Sequence, residues 1–107
     1  MSPWSWLAVA AAAEVAWSQS IKPTEGFSRP LPTLVCFLLT LAVIYPLTRA
    51  VEQIPVGTAY AIFTGVGAAG AVALGVIVSG DSLGAGRLAA IALVIAGVVV
   101  LRVVEDV

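Results

Sequence analysis

Long apolar runs separated by short polar connectors account for almost the whole chain. A helix that crosses a bilayer needs about 20 mostly apolar residues. The pattern predicts four such helices, over residues 4–21, 31–51, 56–78 and 88–104. The connectors carry the punctuation and nearly all of the charge. "KPTEGFSRPLP" holds three prolines and a glycine. "RAVEQIP" is polar and ends in Pro55, whose fixed φ suits the first turn of the next helix. "SGDSLGAGR" is a Gly/Ser turn region. Connectors this short do not cross over a bundle, so the helices are expected to run up and down as neighbours in one domain, residues 1–107.

Composition turns this all-α pattern into a membrane protein. Hydrophobic residues make up 61% of the chain and charged residues 10%, with mean hydropathy +1.09. Soluble domains carry roughly 25% charged residues, so the bilayer is the expected solvent. The start, "MSPWSW", lacks a basic n-region, and no cleavable signal peptide is expected. A net charge of −1 with no basic stripe argues against nucleic-acid binding. Cys36 is the only cysteine, so no intrachain disulfide forms, and the absence of histidine leaves no zinc or iron–sulfur ligand set. No cofactor is expected, and no nucleophile–base set points to an enzyme. Four helices enclose too little space for an aqueous route, so transport requires an oligomer.

Glu14 interrupts the first apolar run, "AVAAAAEVAWSQSI". A charge at mid-membrane costs roughly 2.5–3.5 kcal/mol on insertion scales. Lys22, Arg29, Arg49, Arg87 and Arg102 all fall in connectors or at helix ends, so no internal cation offsets it. Lipid disfavours an uncompensated carboxylate, and an acid that gains and loses a proton there is what proton coupling requires. At 100° per residue, Leu7, Ala10, Ala11, Trp17, Ser18 and Ile21 lie within about 60° of Glu14. Ala10 and Ala11 clear space, Trp17 offers an aromatic face, and Ser18 is one turn on, within reach to donate a hydrogen bond. A carboxylate beside aromatics suits an organic cation. Tyr45 and Tyr60 are the other intramembrane polar aromatics, and Phe63 shares a face with Tyr60. Trp4 and Trp6 read as interface anchors.

Small residues mark the packing. "GTAYAIFTGVGAAGAVALG" in helix three lets backbones approach closely. Gly65 and Gly67 in "TGVG" serve either as a hinge or as close packing, and the two roles are compatible. Ala90 and Gly97 on helix four lie seven apart and share a face, a candidate dimer contact. Pro46 interrupts helix two and frees the Ala42 carbonyl. Orientation follows the excess of Lys and Arg on the cytoplasmic side. One side carries Arg49 and Arg102, the other Lys22, Arg29 and Arg87. So small a difference selects no orientation, and both are expected to insert.

"AEVAWSQSIKPTEGFSR" and "IPVGTAYAIFTGVGAAGAV" resemble the small multidrug resistance family of bacterial exporters. The resemblance covers the four spans, Glu14, Lys22 and "EGF" of the first loop, and the helix-three pattern. It implies a multi-pass protein of the bacterial inner membrane, built as an antiparallel, dual-topology dimer that exchanges protons for small organic cations. On that resemblance Glu14 is the shared proton and cation site and Tyr60 lines or gates it. Gly65–Gly67 is the kink, and the Gly97 face joins the subunits. Trp17 and "PVGTAYAI" are similar to the guanidinium-exporting branch. That branch has Gly where Ala11 stands, Ser where Val43 stands, and Trp where Phe63 stands. Val43 and Phe63 donate no hydrogen bonds, so apolar-substituted guanidinium or quaternary ammonium ions are expected substrates too. Phe at this position also occurs in paired-subunit members, which keeps a heterodimer open beside the homodimer. Two other classes compete: a scaffolding membrane subunit, which needs no uncompensated acid, and a passive channel, which lacks fixed exchange.

Overall fold

The computed structural model describes residues 1–105 and contains four α-helices. They are α1 (Pro3–Ser20), α2 (Pro30–Ala50), α3 (Val56–Ser79) and α4 (Ala85–Val104), with a 3-10 turn at Lys22–Thr24. The boundaries of α1, α2 and α3 follow the predicted punctuation. Ser2 caps α1, its hydroxyl accepting from the Ser5 N–H at 3.1 Å, and Pro3 follows at the first position. Pro30 opens α2. Gly80, at φ +70°, ends α3 in the left-handed region that favours glycine, and the Asp81 N–H then bonds the Gly75 carbonyl at 3.1 Å. α4 starts three residues before the predicted position, because Gly84 is extended and the small residues after it continue the helix.

The first connector is a tight clasp. Thr24 is buried and donates its hydroxyl to the Ile21 carbonyl at 2.6 Å, while its own carbonyl accepts from Ser28 and Arg29. Glu25, Gly26 and Phe27 all take positive φ to turn the chain back toward α2.

α1 packs against both α2 and α3, whereas α4 packs mainly on α3. The core joins Leu7, Ala10 and Ala11 of α1 to Val43 and Ala50 of α2 and to Ala59, Ile62 and Phe63 of α3. The molecule is a slab of 44 × 35 × 18 Å. Ala8, Val9, Ala12, Ala16 and Gln19 are exposed, so the face of α1 opposite Glu14 is uncovered. α2, α3 and α4 are each long and apolar enough to cross a membrane alone. α1 is not, because Glu14, Gln19 and its serines dilute it. The expectation of four equivalent spans is thus refined: three cross on their own hydropathy, and α1 does so as part of a packed layer.

Candidate functional site

Glu14 is half-buried at the middle of α1, where two clefts meet. One, of about 270 Å³, lies between α1 and α3 and is lined by Glu14, Ser18, Tyr60, Phe63, Thr64 and Gly67. The other, of about 150 Å³, lies between α1 and α2 and is lined by Glu14, Trp17, Thr40, Val43 and Ile44. Gly67 sets the α1–α3 spacing at the acid. A Cβ there would stand 2.7 Å from the Glu14 Cγ, so only glycine admits the carboxylate stem at this position. Among the described residues, no lysine or arginine pairs with Glu14 and no side chain donates a hydrogen bond to it.

The aromatic lining is asymmetric. Phe63 is buried, while Tyr60 stays exposed with its ring 6.1 Å from that of Phe63. The indole N–H of Trp17 is buried and has no hydrogen-bond partner among the described residues. Val43 is buried and supplies an apolar wall. The cleft beside α3 opens into a larger polar hollow of about 560 Å³ at the loop end of the molecule. Ser18 and Ala71 line both, and Lys22, Glu25, Arg29 and Asp81 surround the outer part. The cleft at Glu14 thus adjoins a hollow at the loop end through two shared residues, Ser18 and Ala71.

Several expected members sit elsewhere. Ser18 reaches the cleft, but its hydroxyl donates to its own helix, at the Val15 carbonyl, 2.6 Å away. The expected bond to Glu14 is absent, because the carbonyl one turn earlier is the nearer acceptor. Ala11 is buried on the α1 core side and lines a separate groove. Tyr45 meets Trp6 edge to face at 5.8 Å, and its hydroxyl accepts from Arg49 at 3.1 Å, so a single chain does not bring it to Glu14. α3 runs through Gly65 and Gly67 as one unbroken helix. Gly65 faces α4, where a Cβ would meet Val98 at 2.8 Å. Ala90 and Gly97 are exposed, and nothing lies within 4 Å of a Cβ built at Gly97.

Thr40 and Thr64 were not expected in the lining. The signal was present: Thr40 lies one turn before Val43 and Ile44, and Thr64 one turn after Tyr60. The Thr40 hydroxyl donates to the Cys36 carbonyl at 2.9 Å, which leaves its lone pairs toward the cleft free to accept.

Comparison with known proteins gives a consistent picture. The family model described as Small Multidrug Resistance protein matches residues 2–94. A protein named guanidinium exporter from Escherichia coli strain K12 is 38% identical over 99 residues, which is 92% of this chain and 94% of that protein. Its namesake in Citrobacter freundii is 37% identical over the same shares of the two chains. The one in Yersinia pestis is 35% identical, over 92% of this chain and 95% of its own length.

Proposed function

The chain belongs to the small multidrug resistance family, and on that premise we propose that it exports small organic cations, guanidinium-type ions first, in exchange for protons bound at Glu14. As a member it is a multi-pass transporter of the bacterial inner membrane and not an enzyme. The observation that carries the proton step is Glu14 itself, a carboxylate between two clefts with no cationic partner among the described residues.

Exchange follows from competition for one charge. A deprotonated Glu14 attracts a cation, and a protonated one does not. Loading a proton therefore releases the cation, and loading a cation displaces the proton. Only one species occupies the carboxylate at a time, so the two fluxes are coupled in opposite directions. The two clefts that meet at Glu14 together suit a planar N–H-bearing cation. Glu14 accepts hydrogen bonds, Thr40 presents lone pairs, and Trp17 and Tyr60 offer ring faces.

Tyr60 and Thr64 stay exposed beside Glu14, and the partner that covers them is a second copy of the chain in the opposite orientation. The near-even split of Arg49 and Arg102 against Lys22, Arg29 and Arg87 supports insertion both ways. A dimer of inverted copies has equivalent inward- and outward-open states, which suits alternating access. The exposed face of α4 at Ala90 and Gly97 is the contact between copies, and Gly65 and Gly67 are where α3 bends between states.

Quaternary ammonium ions form a second substrate class. Buried Val43 and Phe63 wall the clefts with apolar surface that donates no hydrogen bond. The experiment is proton-coupled transport in proteoliposomes across a panel from guanidinium to bulky quaternary ammonium ions, with Glu14→Gln alongside. Uptake driven by a proton gradient, lost in that variant, is the expected result. Cation flux without proton movement would make the protein a channel.

A further inference from the structure

A second groove lies between α1 and α3, lined also by Arg102 at the end of α4. Its volume is about 430 Å³. Ala8, Ala12 and Val15 form one wall, and Val66 and Gly70 form the other. The α3 residues that line it, Ile62, Val66 and Gly70, are distinct from Tyr60, Thr64 and Gly67 beside Glu14, although Gly67 and Gly70 both face α1. Among the described residues, the only charged group lining it is Arg102, whose guanidinium lies 4.2 Å over the Trp4 ring.

Depth and charge together identify an occupant. Trp4 and Val15 mark its two ends along α1, a distance of about 16 Å at 1.5 Å per residue. The hydrocarbon core of a bilayer is about 30 Å thick, so the groove is one leaflet deep. Its head, with Trp4 and Arg102, sits where aromatic rings and arginines meet lipid headgroups. Small side chains leave room for a chain along the floor. The two arginines at this end of the molecule differ. Arg49 lies near Glu52, 3.3 Å away. No carboxylate among the described residues pairs with Arg102, and neighbouring Glu105 accepts instead from the Thr58 hydroxyl at 2.7 Å.

We infer that this groove is a binding site for an anionic phospholipid, with one acyl chain lying along Ala8, Ala12 and Val66 and the phosphate on the Arg102 guanidinium. Basic groups between transmembrane helices hold such headgroups by charge and hydrogen bonding. The groove shares no lining residue with the two clefts at Glu14.

The test uses the protein's own tryptophans in phosphatidylcholine vesicles containing a small fraction of phosphatidylglycerol, with bromine, a contact quencher, on the acyl chains of one lipid or the other. Wild-type protein is expected to be quenched by brominated phosphatidylglycerol several-fold beyond its share of the membrane. Arg102→Gln should bring quenching down to the random-mixing level, and Arg102→Lys should retain part of the excess. Ala12→Leu fills the groove while keeping the guanidinium and should also lose the excess. Arg49→Gln should keep it, which separates a built site from general attraction to a basic surface. Each ratio is taken against the same variant in unbrominated lipid, with helicity and dimer size checked. Equal excess from brominated phosphatidylcholine would show that any acyl chain fills the groove and would overturn the inference. So would an unchanged Arg102→Gln variant, an equal loss in Arg49→Gln, or no excess in the wild type, the result expected if a second copy covers the groove.

Discussion

α1 and α4 are similar in length and opposite in character. α1 holds the polar centre, Glu14, buries Leu7, Ala10 and Ala11, and packs on two neighbours. It is also the helix that is not apolar enough to cross a membrane alone. α4 is the most apolar of the four, packs mainly on α3, meets α1 through Arg102 over the Trp4 ring, and has no buried residue. The difference separates two tasks. The helix carrying the chemistry depends on its neighbours to stay in lipid, and those neighbours shape the space around its acid. The helix that needs no help is free to present a whole face outward, to lipid or to another chain.

The largest expected effect breaks the polar half of that contrast. Glu14→Gln keeps the shape and removes the titrating charge. Proton-driven uptake in proteoliposomes should fall to background, while the dimer, measured by size in detergent, stays intact. Retained uptake against a gradient would place coupling elsewhere. Glu14→Asp should retain exchange but change its pH dependence, since a shorter stem alters both solvation and reach.

Next comes the spacing that admits the acid. Gly67→Ala puts a methyl group 2.7 Å from the Glu14 Cγ. Overpacking of this kind costs about 1–3 kcal/mol, and about 1.4 kcal/mol corresponds to tenfold in an equilibrium. Cation affinity, read from proton release on binding, should drop about tenfold. Gly57→Ala on the same helix meets open space and serves as the control, with no expected change. Equal losses at both positions would mean that α3 flexibility, not the approach to Glu14, sets the affinity.

Much of this arrangement was legible in the sequence. The apolar runs and their Pro/Gly punctuation mark the helices because lipid leaves the backbone few alternatives. Glu14 stands out because nothing nearby compensates its charge. What pattern cannot supply is the neighbour across a gap. The helical wheel places Ala11 on the face of Glu14, yet α3 divides that face, and Ala11 falls in the other groove. Tyr45 reads as a polar aromatic in the membrane, yet Trp6 and Arg49 hold it at the helix end. Ser18 has the right spacing, but a hydroxyl in a helix competes for the carbonyl one turn back. Thr40 and Thr64 carried the right spacing too, and only the packing of α2 and α3 on α1 shows that they face the acid.

The apolar half of the contrast breaks at Gly97. The surrounding space is open within one chain, so Gly97→Leu leaves the monomer's packing untouched. If α4 joins two copies through its small-residue face, the larger side chain should raise the monomer fraction and reduce transport in proportion. Unchanged dimerisation would assign that face to lipid. Reporter fusions at the C-terminus sharpen the same point. Signal on both sides of the membrane is expected from the weak charge bias, and a single orientation with activity only beside a second homologous chain would favour the heterodimer.

The smallest expected effect concerns selectivity within the site. Phe63 is buried against the cleft and offers an apolar wall where an indole would add a donor. A site whose polar groups match a small N–H-bearing ion rejects ions that leave those groups unpaired, whereas an apolar wall discriminates weakly. As it stands, Phe63 should let guanidinium and its apolar-substituted or quaternary counterparts compete on similar terms. Phe63→Trp adds bulk and an N–H together. Both changes disfavour large ions, the first by volume and the second by the unpaired donor a quaternary ammonium would leave. The ratio of guanidinium to quaternary ammonium transport should rise several-fold, with Glu14-dependent proton exchange retained. Adding the donor without bulk, as Val43→Ser on the α2 side, should move the ratio the same way by less. A rise in the indole variant alone would identify volume, not hydrogen bonding, as the source of selectivity, and no rise in either would remove these walls from the choice of substrate.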